Sequence, residues 1–486
     1  MHTIEKISPN PSLPKRGFIP PFGKGRAGGI LQINVLIILR LLIIVFWCSL
    51  FILLPANAFS QERVLSLKEA IEQAMSGNPE LRAHERALFA YREDIGIAKS
   101  FLLPKLTFEE RIMRTNNPTY AFMTKLNQER FSAADLGGAP ETFNHPEAIN
   151  DFQTSFSFEQ PVFAPRAYIG VDIAKKEYSA KGDDLGRKKE KVALDVFKTY
   201  LGIQTAKEFA AVTEKAIGDA KEHLRIAEAR YNAELGLYSD MLRAQVALSS
   251  AEEKNVSARK NLEVAKRALG LMMGLTEAVD VQKERPNLDV RELEFYTVTA
   301  LSRKDLKSLE TRYKNAENTL KMAHAGYLPV VGLDGAYQLN SHRAPLGEEG
   351  NSWQMMAFLR WELFDGTKRE HERLKAQYQI AEAGEYLEGL KKQISFMIYD
   401  AYLTVDEERK RLELAGHALN SAEEGRRLVK TRYENALSTM ADLLDVQTNL
   451  DASRANVVEK EGAYLTAVAN LGFQSGTILK DLGIEK

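Results

Sequence analysis

Two hydrophobic periods run along this chain, one of two residues and one of three to four, and they occur in the same order twice. Val331, Leu333, Tyr337 and Leu339 alternate with Gly332, Asp334, Gln338 and Asn340, and Trp353, Met355, Ala357, Leu359, Trp361 and Leu363 form a return run. Earlier, Leu106 and Phe108 open one such run, while Phe152, Phe156 and Phe158 alternate with Ser155, Ser157 and Glu159 in another. Alternation over about ten residues, with aromatics near the ends, predicts strands with lipid on one side and water on the other. Four such strands cannot close a barrel, because the smallest barrels use about eight. Several chains must therefore share one.

Each strand pair is followed by a proline-free stretch rich in Ala, Glu, Lys and Leu, about 166–235 and 367–437. Its apolar positions recur at three and four, as in Val192, Val196, Tyr200, Ile203 and Ala206, which predicts helix. Some seventy residues at about 1.5 Å each give roughly 105 Å, far longer than a globular domain needs. Return helices over about 239–273 and 440–475 complete coiled-coil hairpins, and alanines on the apolar stripe allow close packing. A coiled-coil rod would share that stripe, but not the strand pairs.

The chain also aligns with itself. Asn78-Pro79-Glu80-Leu81 and Ala98–Pro104 fall on Arg303-Lys304-Asp305-Leu306 and Ala323–Pro329 at an offset of 225. Ala229-Arg230-Tyr231 and Asp240-Met241-Leu242-x-x-Gln245 fall on Thr431-Arg432-Tyr433 and Asp442-Leu443-Leu444-x-x-Gln447 at 202. The offset drops by 23, so the first copy carries an extra loop, the polar stretch from about Asn116 to Asn150. Each copy passes from helix to strand at Leu-Pro, Leu103-Pro104 or Leu328-Pro329, where proline stops helical propagation. The expected organisation is a signal peptide over 1–58, a first repeat over 59–273, a linker over 274–298, a second repeat over 299–475 and a tail over 476–486.

The leader is read from Lys15, Arg16, Lys24, Arg26 and Arg40, the apolar run Leu41–Leu54 and Pro55-Ala56-Asn57-Ala58. A basic region, a short apolar core and a small-x-small site predict export with cleavage after Ala58. An uncleaved anchor is the alternative, because apolar residues before Arg40 could lengthen the run. Cys48, the single cysteine, lies inside that run, so the exported chain has no disulfide or thiolate chemistry. Removing 1–58 takes away six basic residues and one acidic one, leaving 59 against 65 and a formal charge of -6. That balance argues against a nucleic-acid partner, which needs clustered positive charge.

The opening Leu65-Ser66-Leu67-Lys68-Glu69-Ala70-Ile71 with Asn78-Pro79-Glu80-Leu81, the Leu-Pro steps and the paired Arg-Tyr and Asp-x-Leu-x-x-Gln segments resemble the TolC-like outer-membrane efflux proteins. The match runs from about residue 63 to 475 and through both repeats. It implies a mixed α and transmembrane-β fold: a homotrimer sharing a twelve-stranded barrel, four strands per chain, with helical hairpins forming a periplasmic tunnel. It further implies a passive conduit, not an enzyme, that needs no cofactor and works with a periplasmic adaptor and an inner-membrane pump. Small-molecule efflux leads; type I protein secretion and heavy-metal efflux stay open, with a non-channel periplasmic coiled-coil protein as the contrasting class.

The hairpin tips are expected at Glu234-Leu235-Gly236 and Leu437-Ser438-Thr439. The resemblance makes Asp442 and Asp445 the acidic ring of the channel aperture; their spacing of three puts them on one helical face. Asp442 is also the third helical residue after an expected Thr439 N-cap, a purely structural role. Asp240 and Tyr433 match positions that tie the hairpins together, and a hydrogen bond from Tyr433 to Asp240 or nearby backbone is expected. Ser438 stands where the family often has a basic residue, which puts an arginine latch there in doubt. Arg230 and Arg432 read as solvated or carbonyl-capping residues. Gly23–Gly28 fits a dinucleotide glycine pattern only by chance, having no strand before it. The eight histidines are scattered, and His371-Glu372 has no second histidine at ligand spacing.

Overall fold

The computed structural model describes residues 63–485 apart from 139, 284 and 287; the expected leader, Cys48 and the glycine-rich segment lie outside them. Strand β1 (Arg63–Leu65) leads into α1 (Leu67–Gly77), whose start is fixed by a reciprocal capping box between Ser66 and Glu69. Asn78 ends α1 and starts α2 (Pro79–Ser100): its Oδ1 accepts from the Glu80 and Leu81 amides at 2.9 and 3.1 Å. Pro79 occupies a position where a missing N–H costs nothing.

Pro104 then turns the chain into β2 (Lys105–Thr115), which pairs with β3 (Ile149–Phe163). The segment between them is not the loop expected from its Asn, Pro and Gly content. It contains α3 (Pro118–Asn127), α4 (Ala133–Leu136) and α5 (Pro140–Asn144). Asn-Pro is a turn signal, but Asn117 here caps the Tyr120 amide and Pro118 sits in the first turn, so the same pair opens a helix.

Helix α6 (Pro165–Asn232) returns in α7 (Tyr238–Met272), close to the expected hairpin. Strand β4 (Val279–Val281) pairs in parallel with β1, and α8 (Leu293–Ala300) and α9 (Lys304–Ala325) follow. The second copy then gives β5 (Val330–Ser341), β6 (Gly350–Arg360), α10 (Lys368–Glu434) and α11 (Met440–Ser475), ending in α12 (Ile478–Asp481). The return run ends at Arg360 and not at Leu363. Arg369 donates to the Glu362 and Leu363 carbonyls at 2.8 and 3.1 Å, and the Trp361 indole donates to the Tyr327 carbonyl at 3.0 Å. Those bonds take the backbone and side chain out of the ladder.

The sheet is antiparallel throughout, in the order β2-β3-β5-β6, so the middle pair joins the repeats. The register aligns Leu106 with Phe158, Phe108 with Phe156, Phe156 with Tyr337 and Tyr337 with Trp353 on one face. Leu106, Phe108, Trp353 and Leu359 are all more than half exposed there. The other face carries Thr107, Glu109, Asp151, Gln153, Ser155, Gln338, Asn340 and Gln354. Sheet order leaves one edge of β2 and one of β6 unpaired among the described residues. No described helix is long and apolar enough to cross a membrane.

The main core lies where α1 and α2 pack on α6, around Tyr200, Phe197, Ile203, Ile71, Leu81 and Leu269. A second cluster joins α8 to α10 and α11 through Tyr296, Leu306, Ile398 and Leu471. Phe197 is completely buried, so Phe197→Ala should destabilise the chain by about 3–5 kcal/mol. The check is the thermal midpoint of the detergent-extracted protein; an unchanged midpoint would mean that this cluster is not the core.

Candidate functional site

Both helical hairpins turn in the same way. Two residues past α6 and α10 the backbone enters the left-handed region, at Glu234 (φ 63) and Ala436 (φ 58), and these positions differ by the repeat offset. The Leu235 amide then reaches back to the Arg230 carbonyl, and Leu437 to Arg432, each at 2.8 Å. Such conformations are strained for residues other than glycine. Their recurrence in both copies marks a built tip, which begins at the first residue of the expected Glu234-Leu235-Gly236 turn and one residue before the expected Leu437-Ser438-Thr439 turn.

At the second tip the side chain of Thr439 accepts from the Asp442 amide at 3.2 Å, while the Asp442 carboxylate accepts from the Thr439 amide at 2.9 Å and its hydroxyl at 2.7 Å. Ser438 adds a third donor at 3.1 Å. These bonds, led by the Thr439 amide, hold the Asp442 carboxyl below its usual range. The capping role of Asp442 is therefore real, and it fixes an exposed carboxylate at the hairpin end. Asp445, one turn further on the same face, is exposed too.

Tyr433 is almost fully buried in a small cluster with Ala227, Ala244, Met440 and Leu443 that seals the two hairpins together. Burial pushes its phenol up; Arg230 opposes that shift and Asp240 adds to it, so Asp240 is an electrostatic neighbour. The expected hydrogen bond is not formed: among the described residues the phenol donates to nothing, and Asp240 lies 3.8 Å from Arg243. Arg230 makes the inter-hairpin contact instead. Its Nη1 donates to the Tyr433 carbonyl at 2.6 Å and its guanidinium lies 4.8 Å from that ring. Of the two readings of Arg230 the structure shows carbonyl capping, across to the other hairpin, whereas Arg432 reaches only the Leu437 carbonyl of its own turn, at 3.4 Å. The two arginines are repeat-equivalent, so the sequence offered no signal to separate them.

About two turns nearer the sheet, α6, α10 and α11 enclose a polar network that sequence reading missed. Gln447 donates to Asp219 at 3.2 Å and to Asp451 at 3.0 Å, and accepts from Arg426 at 3.1 Å. Arg426 and Arg454 each reach Asp219 at 3.3 Å. His223, with no exposed surface, approaches Gln447 at 3.4 Å, while its Nδ1 has no hydrogen-bond partner among the described residues. A cavity of about 300 Å³ lined by His223, Gln447, Asp451 and Lys254 adjoins it. The only hint was that Gln447 belongs to a repeated Asp-x-Leu-x-x-Gln segment, yet its equivalent Gln245 is exposed. No group of three or more potential metal ligands converges among the described residues.

The chain thus joins a sheet with one apolar and one polar face to two long hairpins whose tips carry exposed carboxylates. The sequence matches the family described as outer membrane efflux protein over residues 70–275 and 296–477, and the chain belongs to that family. It is 20% identical to the outer membrane protein TolC of Salmonella enteritidis over 85% of this chain and 82% of that one. It is 21% identical to the outer membrane efflux protein BepC of Brucella suis, over 86% and 89% of the two chains. A solved membrane protein from Pseudomonas aeruginosa superposes with a TM-score of 0.71 at 19% identity, covering 84% of this chain and 93% of that one. The fold is TolC-like, and the protein is a non-enzymatic efflux channel of the outer membrane with its helical part in the periplasm.

The buried network makes the hairpin packing sensitive to pH. Burial lowers the His223 pKa; Arg426 and Lys430 lower it further, while Gln447 and Asp219 oppose them. A folded state that holds this histidine neutral loses stability as pH falls below the ordinary value of about 6.5, where the unfolded chain takes up the proton. Asp451, raised by burial, acts in the opposite sense. Amide exchange around residues 219–227 and 443–454 should therefore speed up from neutral pH to mildly acidic pH. His223→Gln should remove most of that dependence; an unchanged profile in the variant would assign it elsewhere.

Proposed function

We propose that three copies of this chain close one twelve-stranded barrel and continue it as a single helical tunnel, a passive conduit for small molecules. The observation that carries this reading is the four-stranded sheet with an exposed apolar face and two unpaired edges. Peptide groups left unpaired in hydrocarbon cost several kcal/mol each, so β2 must meet β6 of a neighbour until the ring closes. The exposed apolar residues of α10, including Tyr378, Tyr386 and Phe396, fit burial against neighbouring copies. The domain reading goes with this one: an exported chain lacking 1–58, repeats over 59–273 and 299–475, a linker over 274–298 and a tail over 476–486.

In this reading the solute is delivered by an inner-membrane pump through a periplasmic adaptor that engages the tips. Threefold symmetry gathers Asp442 and Asp445 into a ring of six carboxylates at the aperture. Fixed acidic rings favour cations. Asp240 and Tyr433 act as gate contacts: Arg230 of the first hairpin binds the Tyr433 backbone of the second, and the Asp240 charge acts on the buried Tyr433 phenol.

Two measurements follow. In planar bilayers, Asp442→Asn/Asp445→Asn should bring the potassium-to-chloride permeability ratio towards one; an unchanged ratio would remove the aperture role. Arg230→Ala should raise the conductance of the resting channel while Arg432→Ala leaves it near wild type. Equal effects would show that the inter-hairpin contact has no special part in closure.

A further inference from the structure

The segment that distinguishes the first repeat from the second lies at the end of the sheet remote from the long helices. There β2 ends and β3 begins, as β5 ends and β6 begins. Within it α3 buries Ala121 and Thr124, and Gln128, the residue that caps its end, continues the same edge at a spacing of three and four. Gln128 donates to the Asn150 carbonyl at 2.8 Å and to the Asp151 carboxylate at 3.0 Å, and Asn340 donates to the same carboxylate at 3.0 Å. Asp151 and Asn340 belong to the polar face of the sheet.

Gly350 gives an independent fix. It sits on the polar face of β6, paired with Asn340, and a Cβ there would collide with the Asn127 carbonyl oxygen at the end of α3. Glycine is needed because the helix end rests directly on the strand. Helix α3 therefore lies against the wall that faces water and not the one that faces lipid. It is braced from behind by the 2.9 Å ion pair of Lys125 with Asp135 and by Phe122 packed edge-on against Phe131 at 4.9 Å. Met123 and Leu126, 54% and 45% exposed, stand on the opposite side of α3 from its buried edge. They point away from the wall.

We propose that the α3 helices of three copies meet around the threefold axis and form a lid across the outer mouth of the barrel, limiting the size of solute that passes. This rests on the trimeric reading above. Twelve strands spaced about 4.8 Å apart and tilted by about 40° enclose a ring roughly 24 Å across. That ring is measured between strand backbones, so three helices each about 10 Å in diameter, which need a circle of about 21 Å, cover the mouth at the rim, where the strands end, and do not enter among the inward side chains of the wall. The rim is thus filled by the three helices, and Met123 and Leu126 find their partners in the same residues of the other copies. The second repeat joins its strands with only residues 342–349 and places no helix there. One lid element per chain, and not two, is what the available area accommodates.

The test uses full-length chain with Cys48→Ser and Ser157→Cys, which puts a thiol on the polar face of β3 nearer the helices than Asp151. Intact cells are treated from outside with a bulky polyethylene-glycol maleimide and, in parallel, with a small charged maleimide. Replacing residues 116–148 by the 342–349 turn should speed the bulky reagent by about tenfold or more, equivalent to a barrier lowered by about 1.4 kcal/mol. The small reagent should change far less. Gly350→Val, which displaces α3 without deleting it, should give the same acceleration if the shortened chain does not assemble. In a Met123→Cys variant, a short bifunctional maleimide should join subunits through α3. Unchanged bulky-reagent rates and no such cross-link, in a protein that still runs as a trimer, would overturn the lid and leave the trimeric reading standing. A monomer in detergent would overturn both.

Discussion

The peptide groups along the outer edges of β2 and β6 set the terms for the rest of the molecule. In water such an edge is tolerable, but beside hydrocarbon it has no acceptor or donor to turn to. Four strands with one apolar face are therefore an incomplete object, and the proposed trimer completes it by hydrogen bonding before any helix is considered. The β3–β5 pair lies at the centre of that sheet and joins the repeats. It fixes α6, which leaves β3, beside α9, which enters β5.

Below the sheet the helices cannot rely on bulk for their packing. Near the tips the fully buried part of the shared cluster is small, Tyr433, Met440 and Leu443 with Ala227 and Ala244. Directional bonds take over: Arg230 to the Tyr433 backbone, and Gln447 between Asp219, Asp451 and Arg426. Buried polar contacts are satisfied in one arrangement and lost together when helices slide, which fits the gate role proposed for the tips.

The outer end follows different rules. There the first repeat spends its extra residues on a helix laid on the polar wall, held by one shared carboxylate, Asp151, and by a glycine that allows contact. The same carboxylate is met by Asn340 from the second repeat. Both copies therefore hold the inserted helix in place, although only one encodes it.

Much of this could be read from the chain. Period-two alternation located all four strands, because one face meets lipid and the other water, and that requirement leaves a mark at every second residue. The long helices showed in their three-four spacing and absence of proline, and the repeat offsets gave the order of elements. Capping of Asp442 by Thr439 was legible too, since it depends on residues three apart. The insert was misread because Asn117-Pro118 serves a turn and a helix start equally well, and the choice depends on whether Ala121 and Thr124 find a surface to cover. Arg230 and Gln447 were out of reach for a related reason. Each has a repeat-equivalent with the same local sequence, Arg432 and Gln245, that stays on its own hairpin or in solvent. Local energetics fixed the elements and their ends; which of two like side chains crosses to the neighbouring hairpin was decided only when the helices packed, because that contact joins residues some two hundred positions apart.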